Sequence, residues 1–136
     1  MLKTGYEKIL GIDFGTKKIG IAVSGGKGEF GLPKCVLKNN KDLTQNLAKI
    51  IQEENISEIV IGESINYKGD ENPVMDNIKK FANEIKKKFN LPINFEPEFL
   101  TSSQAKNIQG DSNMIDASAA ALILQSFLDK RNHKKN

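Results

Sequence analysis

Apolar and polar positions change their rhythm once along this chain. Up to residue 37 the apolar residues come in short, branched runs. Glu7–Asp13 reads EKILGID, Lys18–Ser24 reads KIGIAVS, and Phe30–Leu37 forms a third run. Phe14-Gly15-Thr16-Lys17 and Ser24-Gly25-Gly26-Lys27-Gly28 separate them as turn-like stretches. These runs predict three strands in an antiparallel meander. Pro33 inside the third suits an edge strand, where a missing N–H breaks no ladder. Leu43, Leu47, Ile50 and Ile51 then recur at helical spacing, with Asn39, Asn40 and Asp42 as cap candidates. Glu58–Gly62 (EIVIG) predicts a buried fourth strand. Val74, Ile78, Phe81, Ile85 and Phe89 mark a second amphipathic helix with a Lys-rich outer face. Leu91–Glu96 predicts a fifth strand, Thr101 and Ser102 cap a short helix through Ile108, and Met114–Leu128 predicts a strongly apolar last helix.

This order, β-β-β-α-β-α-β-α-α, predicts an α/β domain: a mixed five-stranded sheet, meander plus parallel strands, with helices on both faces. At 136 residues the chain holds one domain with a hydrophobic core of its own. The domain is expected over 1–130, with a basic C-terminal tail at 131–136. No apolar run reaches the roughly 20 residues of a membrane helix. The N-terminus lacks a signal-peptide pattern, and the single Cys35 has no partner for an internal disulfide. A cytoplasmic protein without membrane contact is expected.

Charge changes the picture less than it first suggests. The net charge is +3, but Lys130, Arg131, Lys134 and Lys135 hold four of the 20 basic groups. Without residues 130–136 the body stands at −1. One histidine, His133, and one cysteine exclude a zinc cluster and a Ser-His-Asp triad. Lys86-Lys87-Lys88 reads as a solvated helix face.

The acids carry more. Asp13 ends the first strand, Glu63 follows the fourth, Glu98 follows the fifth, and Asp116 lies in the first turn of the last helix. Glu96, two residues before Glu98, reads as surface. Acids converging at one sheet edge repel one another, and a hard divalent cation relieves that cost. Ligands also gather at the carboxyl ends of strands in open α/β sheets. Asp116 shares a helical face with Ala119, Ala120 and Ile123, so close packing of that face draws it inward.

LGIDFGTKKIGIAVS at 10–24 resembles the opening of the YqgF/RuvX family of RNase H-like nucleases. IVIGESIN at 59–66, EFLTSSQA at 98–105 and IDASAAALILQSFLD at 115–129 resemble the family's later motifs, in order and at matching spacing. GIDFGT alone also fits the first phosphate loop of sugar kinases and actin-like ATPases. Those proteins need two such domains, and this chain has room for one. The resemblance implies an RNase H-like fold with acids holding Mg²⁺ or Mn²⁺, two ions in all. It carries Asp13 and Asp116 over as metal ligands. The family's D-E-R-L-T reads Pro97-Glu98-Phe99-Leu100-Thr101 here, and its G-L-P reads Gly62-Glu63-Ser64. An acid is thus gained at the fourth strand while one is lost at the fifth, and Glu63 is expected to compensate.

The catalytic and metal-binding set expected from this is Asp13, Glu63, Glu98 and Asp116. Gly15, Thr16, Lys17 and Lys18 are expected to meet substrate phosphate, with Lys17 facing out if the strand begins at Lys18. Two ions about 3.5–4 Å apart clamp the attacking and leaving oxygens of a phosphodiester. With one arginine in the chain, recognition led by backbone and shape is favoured over base reading. The function implied is processing of the 5′ end of precursor 16S ribosomal RNA, by a monomer or weak homodimer. The other readings are a Holliday-junction resolvase, which normally needs a symmetric dimer, and a nucleic-acid-binding module with weakened catalysis.

Overall fold

The computed structural model describes residues 8–25, 30–65, 74–99 and 112–134. Within them lie β1 (Lys8–Phe14), β2 (Lys18–Ser24), β3 (Gly31–Lys38), α1 (Leu43–Glu53), β4 (Ile56–Ile65), α2 (Val74–Phe89), β5 (Ile93–Phe99) and α3 (Ser112–Lys134). The helix expected from Thr101 to Ile108 lies outside the described residues. The strands form one sheet in the order β3-β2-β1-β4-β5. β1–β2 and β2–β3 are antiparallel, while β1–β4 and β4–β5 are parallel. This is the mixed five-stranded sheet expected. Pro33 sits in edge strand β3, opposite Ala22 and beside a register shift. Pro97 likewise sits in the other edge strand, opposite Glu63. At an edge, neither proline interrupts a two-sided ladder.

Strand alternation separates two cores. On one face Leu10, Ile12, Ile19, Ile21, Ile59 and Ile61 pack with the apolar stripes of α1 and α2. On the other, Ile9, Ala22 and Val60 pack under Ala120, Ala121, Ile123, Leu124 and Leu128 of α3. That second face is built from small residues, so α3 comes unusually close. A Cβ on Gly11 would stand 2.8 Å from the Leu124 Cβ, and one on Gly31 would stand 2.8 Å from the Ala121 carbonyl oxygen. The face expected to carry Asp116 inward holds in part: Ala120 and Ile123 are buried and Ala119 is half-buried.

Both helices that lead into parallel strands stop on asparagine. Asn55 and Asn90 have φ of 56° and 53°, a left-handed conformation that asparagine tolerates better than most residues. The Asn90 N–H donates to the Lys86 carbonyl at 2.8 Å and closes α2. At the start of α1 the cap candidates work differently. The Asp42 side chain makes no capping bond. Asn40 accepts from the Asp42 N–H at 2.9 Å. Asn39 does not cap the helix: its amide donates to the Gly15 carbonyl, and its backbone N–H donates to the Lys17 carbonyl, both at 2.9 Å. Asn39 therefore ties the β1–β2 turn to the start of α1.

The last helix runs longer than expected. Residues 131–134, expected in a tail, continue α3 through Lys134. Arg131 supplies the reason. Its guanidinium forms two parallel bonds to Glu58 of β4, at 2.7 and 2.6 Å, and lies 4.5 Å over the Phe127 ring. A bidentate arginine–carboxylate pair holds its helix end firmly.

Candidate active site at the carboxyl end of the sheet

The four expected acids are placed by two strand registers and one helix. Asp13 lies inside β1, opposite Gly20 of β2. Ile12 pairs with Ile61, so the next step along β4 brings Gly62 level with Asp13. Asp13 shares the parity of Ile9 and Gly11 and therefore faces α3. Its neighbours on both flanking strands are glycines. The sheet surface on either side of it carries no competing side chain.

Glu63 lies one step further along β4 and inside the strand, which continues to Ile65. It has the parity of Ile59 and Ile61, which belong to the α1/α2 core. Alternation therefore assigns Asp13 and Glu63 to opposite faces of the sheet. This runs against the expectation that Glu63 joins Asp13. The reason is the register: an acid at a neighbouring strand end shares a face only if the offset is even, and here it is odd.

Position 98 falls within β5, opposite Ser64, and not after the strand. It has the parity of Glu96, which faces α3. The side chains of Glu98 and Asp116 lie outside the described part of the molecule. α3 crosses the strands: Ala121 lies at Gly31 of β3, Leu124 at Gly11 of β1, and Ser126 and Arg131 reach Glu96 of β5 and Glu58 of β4. The Ala120 carbonyl lies at Gly11. Among the described residues alone, no three His, Cys, Asp or Glu side chains converge as a metal group.

Glu96 overturns its reading as surface. It is 3% exposed. Ser126 donates to it at 2.7 Å, and Lys130 pairs with it. Glu96 pairs in register with Gly62, so it stands level with Asp13, two strands away. Its two partners are thus a hydroxyl and an ammonium, both from α3. Sequence reasoning missed the arrangement because Ser126 and Lys130 were read separately, one in a helix and one in a tail. Their i, i+4 spacing places both on one helical face.

The Gly15–Lys18 turn sits directly beyond Asp13. A Cβ on Gly15 would lie 2.4 Å from the Lys18 carbonyl oxygen, so glycine is required by the turn itself. Thr16, Lys17 and Lys18 are all exposed. Lys18 begins β2 and faces solvent as Lys17 does, so two cations flank the turn.

At the opposite end of the sheet the charges are paired. Glu54 accepts from Lys8 at 2.9 Å and from Lys34 at 2.8 Å. The bond from Lys34, then that from Lys8, holds the Glu54 carboxyl below its ordinary range. The bond to Glu58 holds the Arg131 guanidinium further toward its charged form. Burial pushes the Cys35 thiol up, away from the thiolate.

Residues 7–130 match the family model described as "RuvX: Holliday junction resolvase". A protein of Koribacter versatilis named "Putative pre-16S rRNA nuclease" is 34% identical over 93% of this chain and 89% of its own length. One of the same name from Dictyoglomus turgidum is 37% identical over 90% and 94%. Among solved structures, Thermus thermophilus RuvC in complex with a Holliday junction aligns with a TM-score of 0.55. The identity is 14%, over 93% of this chain and 96% of that one. The fowlpox virus resolvase aligns at 0.52 with 12% identity, over 90% and 97%. At such identities these two alignments speak for the fold, which is RNase H-like.

Proposed function

This chain belongs to the RuvX family, and from that premise we propose that it is a divalent-metal-dependent nuclease that processes the 5′ end of precursor 16S ribosomal RNA. The observation that carries the reading is the placement of Asp13. It stands between glycine positions at the carboxyl end of β1, facing α3. An all-carboxylate set suits Mg²⁺ or Mn²⁺. Asp13, Glu98 and Asp116 would hold the ions, and Glu63 stands apart by parity. Bound there, divalent ions supply Lewis-acid stabilisation of charge on the phosphodiester oxygens.

The chain's own residues do the rest. Thr16, Lys17 and Lys18 meet the phosphates that flank the cut. The only arginine is engaged with Glu58, so base-edge reading by a guanidinium fork is unavailable. Recognition rests on backbone charge and shape. The protein acts in the cytoplasm, as a monomer or weak homodimer. Among the described residues no helix is long and apolar enough to cross a membrane.

The test is cleavage of a labelled precursor 16S 5′ leader and of a four-way DNA junction, with Mn²⁺ or EDTA. Metal-dependent cleavage of the leader, abolished in Asp13→Asn, is expected. Preferential cleavage of the junction by a dimer transfers the function to resolution. No cleavage of either substrate leaves the binding-module reading in its place.

A further inference from the structure

The face of the sheet away from α3 carries a feature that cleavage does not use. A cleft of about 380 Å³ opens beside the carboxyl end of β1, between the β1–β2 turn, α1 and α2. Its floor is aromatic: Phe14 and Phe81 meet with ring centroids 5.1 Å apart at 43°. Its rim holds the amides of Asn40 and Asn77, the hydroxyls of Thr16 and Thr44, Lys80, and Glu84 one turn on. Asn77 and Lys80 are exposed, and neither has an intramolecular partner among the described residues. Asn39, also on the rim, is fixed by its bond to Gly15 and ties the turn to the start of α1.

We infer that this cleft binds one unpaired nucleotide of the substrate strand, next to the scissile phosphate. The chemistry of the lining fits that ligand in each part. Asparagine amides present a donor and an acceptor side by side, the pattern of base edges. A carboxylate such as Glu84 accepts from an exocyclic amine. An aromatic floor packs against a base that has left its stack. The Lys80 ammonium takes the phosphate as a point charge. The volume lies within the range of small-ligand sites.

Location supplies the second reason. Phe14 directly follows Asp13, and consecutive Cα atoms are about 3.8 Å apart. The two residues point to opposite faces of the same strand end. A strand with its phosphate at Asp13 passes over the exposed Thr16 and drops its neighbouring base into the cleft. A base-paired neighbour cannot enter, so the cleft selects single-stranded substrate at the cut. This inference rests on the nuclease reading for the identity of the strand.

Fluorescence anisotropy of labelled RNA with the full chain in EDTA tests it apart from catalysis. Two probes serve: a ten-nucleotide single strand and a blunt duplex of equal length. Asn77→Ala combined with Lys80→Ala alters two exposed positions and leaves the cores intact. The single strand is expected to lose about tenfold in affinity, about 1.4 kcal/mol. The duplex is expected to bind unchanged. Equal losses for both probes, or none, overturn the inference. A mononucleotide that shifts the side-chain amide signals of Asn40 and Asn77 by itself assigns the cleft to free nucleotide as well as to the strand. Shifts with the single strand alone assign it to the strand, and no shift with either overturns it. Metal-dependent cleavage by the unaltered protein is read separately, so failure of one reading does not mask failure of the other.

Discussion

The acids of this sheet fall into a set paired in the structure and a set proposed to hold metal. At the end where the parallel strands begin, Glu54 has two lysines and Glu58 has Arg131. Glu96, further along β5 and buried, has Lys130 and Ser126. At the end where those strands finish, Asp13 stands between glycine positions on the α3 face, and position 98 carries another acid. The paired acids fasten α3 and the edge strands to the sheet. Asp13, Glu98 and Asp116 are the acids proposed to hold metal.

The charge of the chain takes its meaning from this contrast. Arg131 and Lys130 were half of the apparent basic excess at the C-terminus. Both are engaged by acids of β4 and β5, so they serve the helix dock before any polyanion.

The largest expected difference between the two sets comes from neutralising one acid of each. Asp13→Asn should lower cleavage by about 10³-fold or more, equivalent to about 4 kcal/mol of barrier. Glu58→Gln should act on stability instead: it leaves the Arg131 guanidinium without its charged partner and costs about 2–3 kcal/mol in denaturant unfolding, with little change in turnover. If both variants behave alike, the contrast between the two sets is wrong.

A smaller effect tests whether the close seat of α3 on the sheet matters to the proposed metal site. Gly11→Ala puts a methyl 2.8 Å from the Leu124 Cβ. It should cost about 1–3 kcal/mol of stability and weaken metal binding as well, because the helix must lift. Loss of stability with unchanged metal affinity would uncouple the helix position from the site.

The smallest effect is acid sensitivity at the paired end. The Glu54 carboxyl is held below its ordinary range, so its contribution to stability is fully present above the unfolded value, about 4.3. That contribution is lost as pH falls through the lower folded value. Glu54→Gln should remove this part of the acid transition and leave the profile at neutral pH nearly parallel. An unchanged acid limb would show that the Lys8 and Lys34 contacts contribute nothing in solution.

Much of this molecule was legible in local pattern. The meander, the edge proline and the two amphipathic helices follow from spacing, because burial repeats every two residues in a strand and every 3.6 in a helix. The acids at 13, 63, 98 and 116 were visible as residues at element ends. What pattern could not supply was register. Glu63 and Glu98 look equivalent in sequence, yet an offset of one residue assigns Glu63 to the α1/α2 face. Glu96 looked exposed because its partners arrive from α3, some thirty residues later in the chain. Such pairing depends on tertiary contact and leaves no local signal. Asn39 looked like a cap, and long-range contact made it a tie to the Gly15 turn.

Mn²⁺ binding by isothermal calorimetry, on the unaltered protein and on Glu63→Gln and Glu98→Gln, tests the central claim most directly. Register predicts that Glu63→Gln binds Mn²⁺ as the unaltered protein does, while Glu98→Gln binds at least about tenfold more weakly, about 1.4 kcal/mol. The opposite ranking, with Glu63 required and Glu98 dispensable, would contradict the assignment of the site to the α3 face of the sheet.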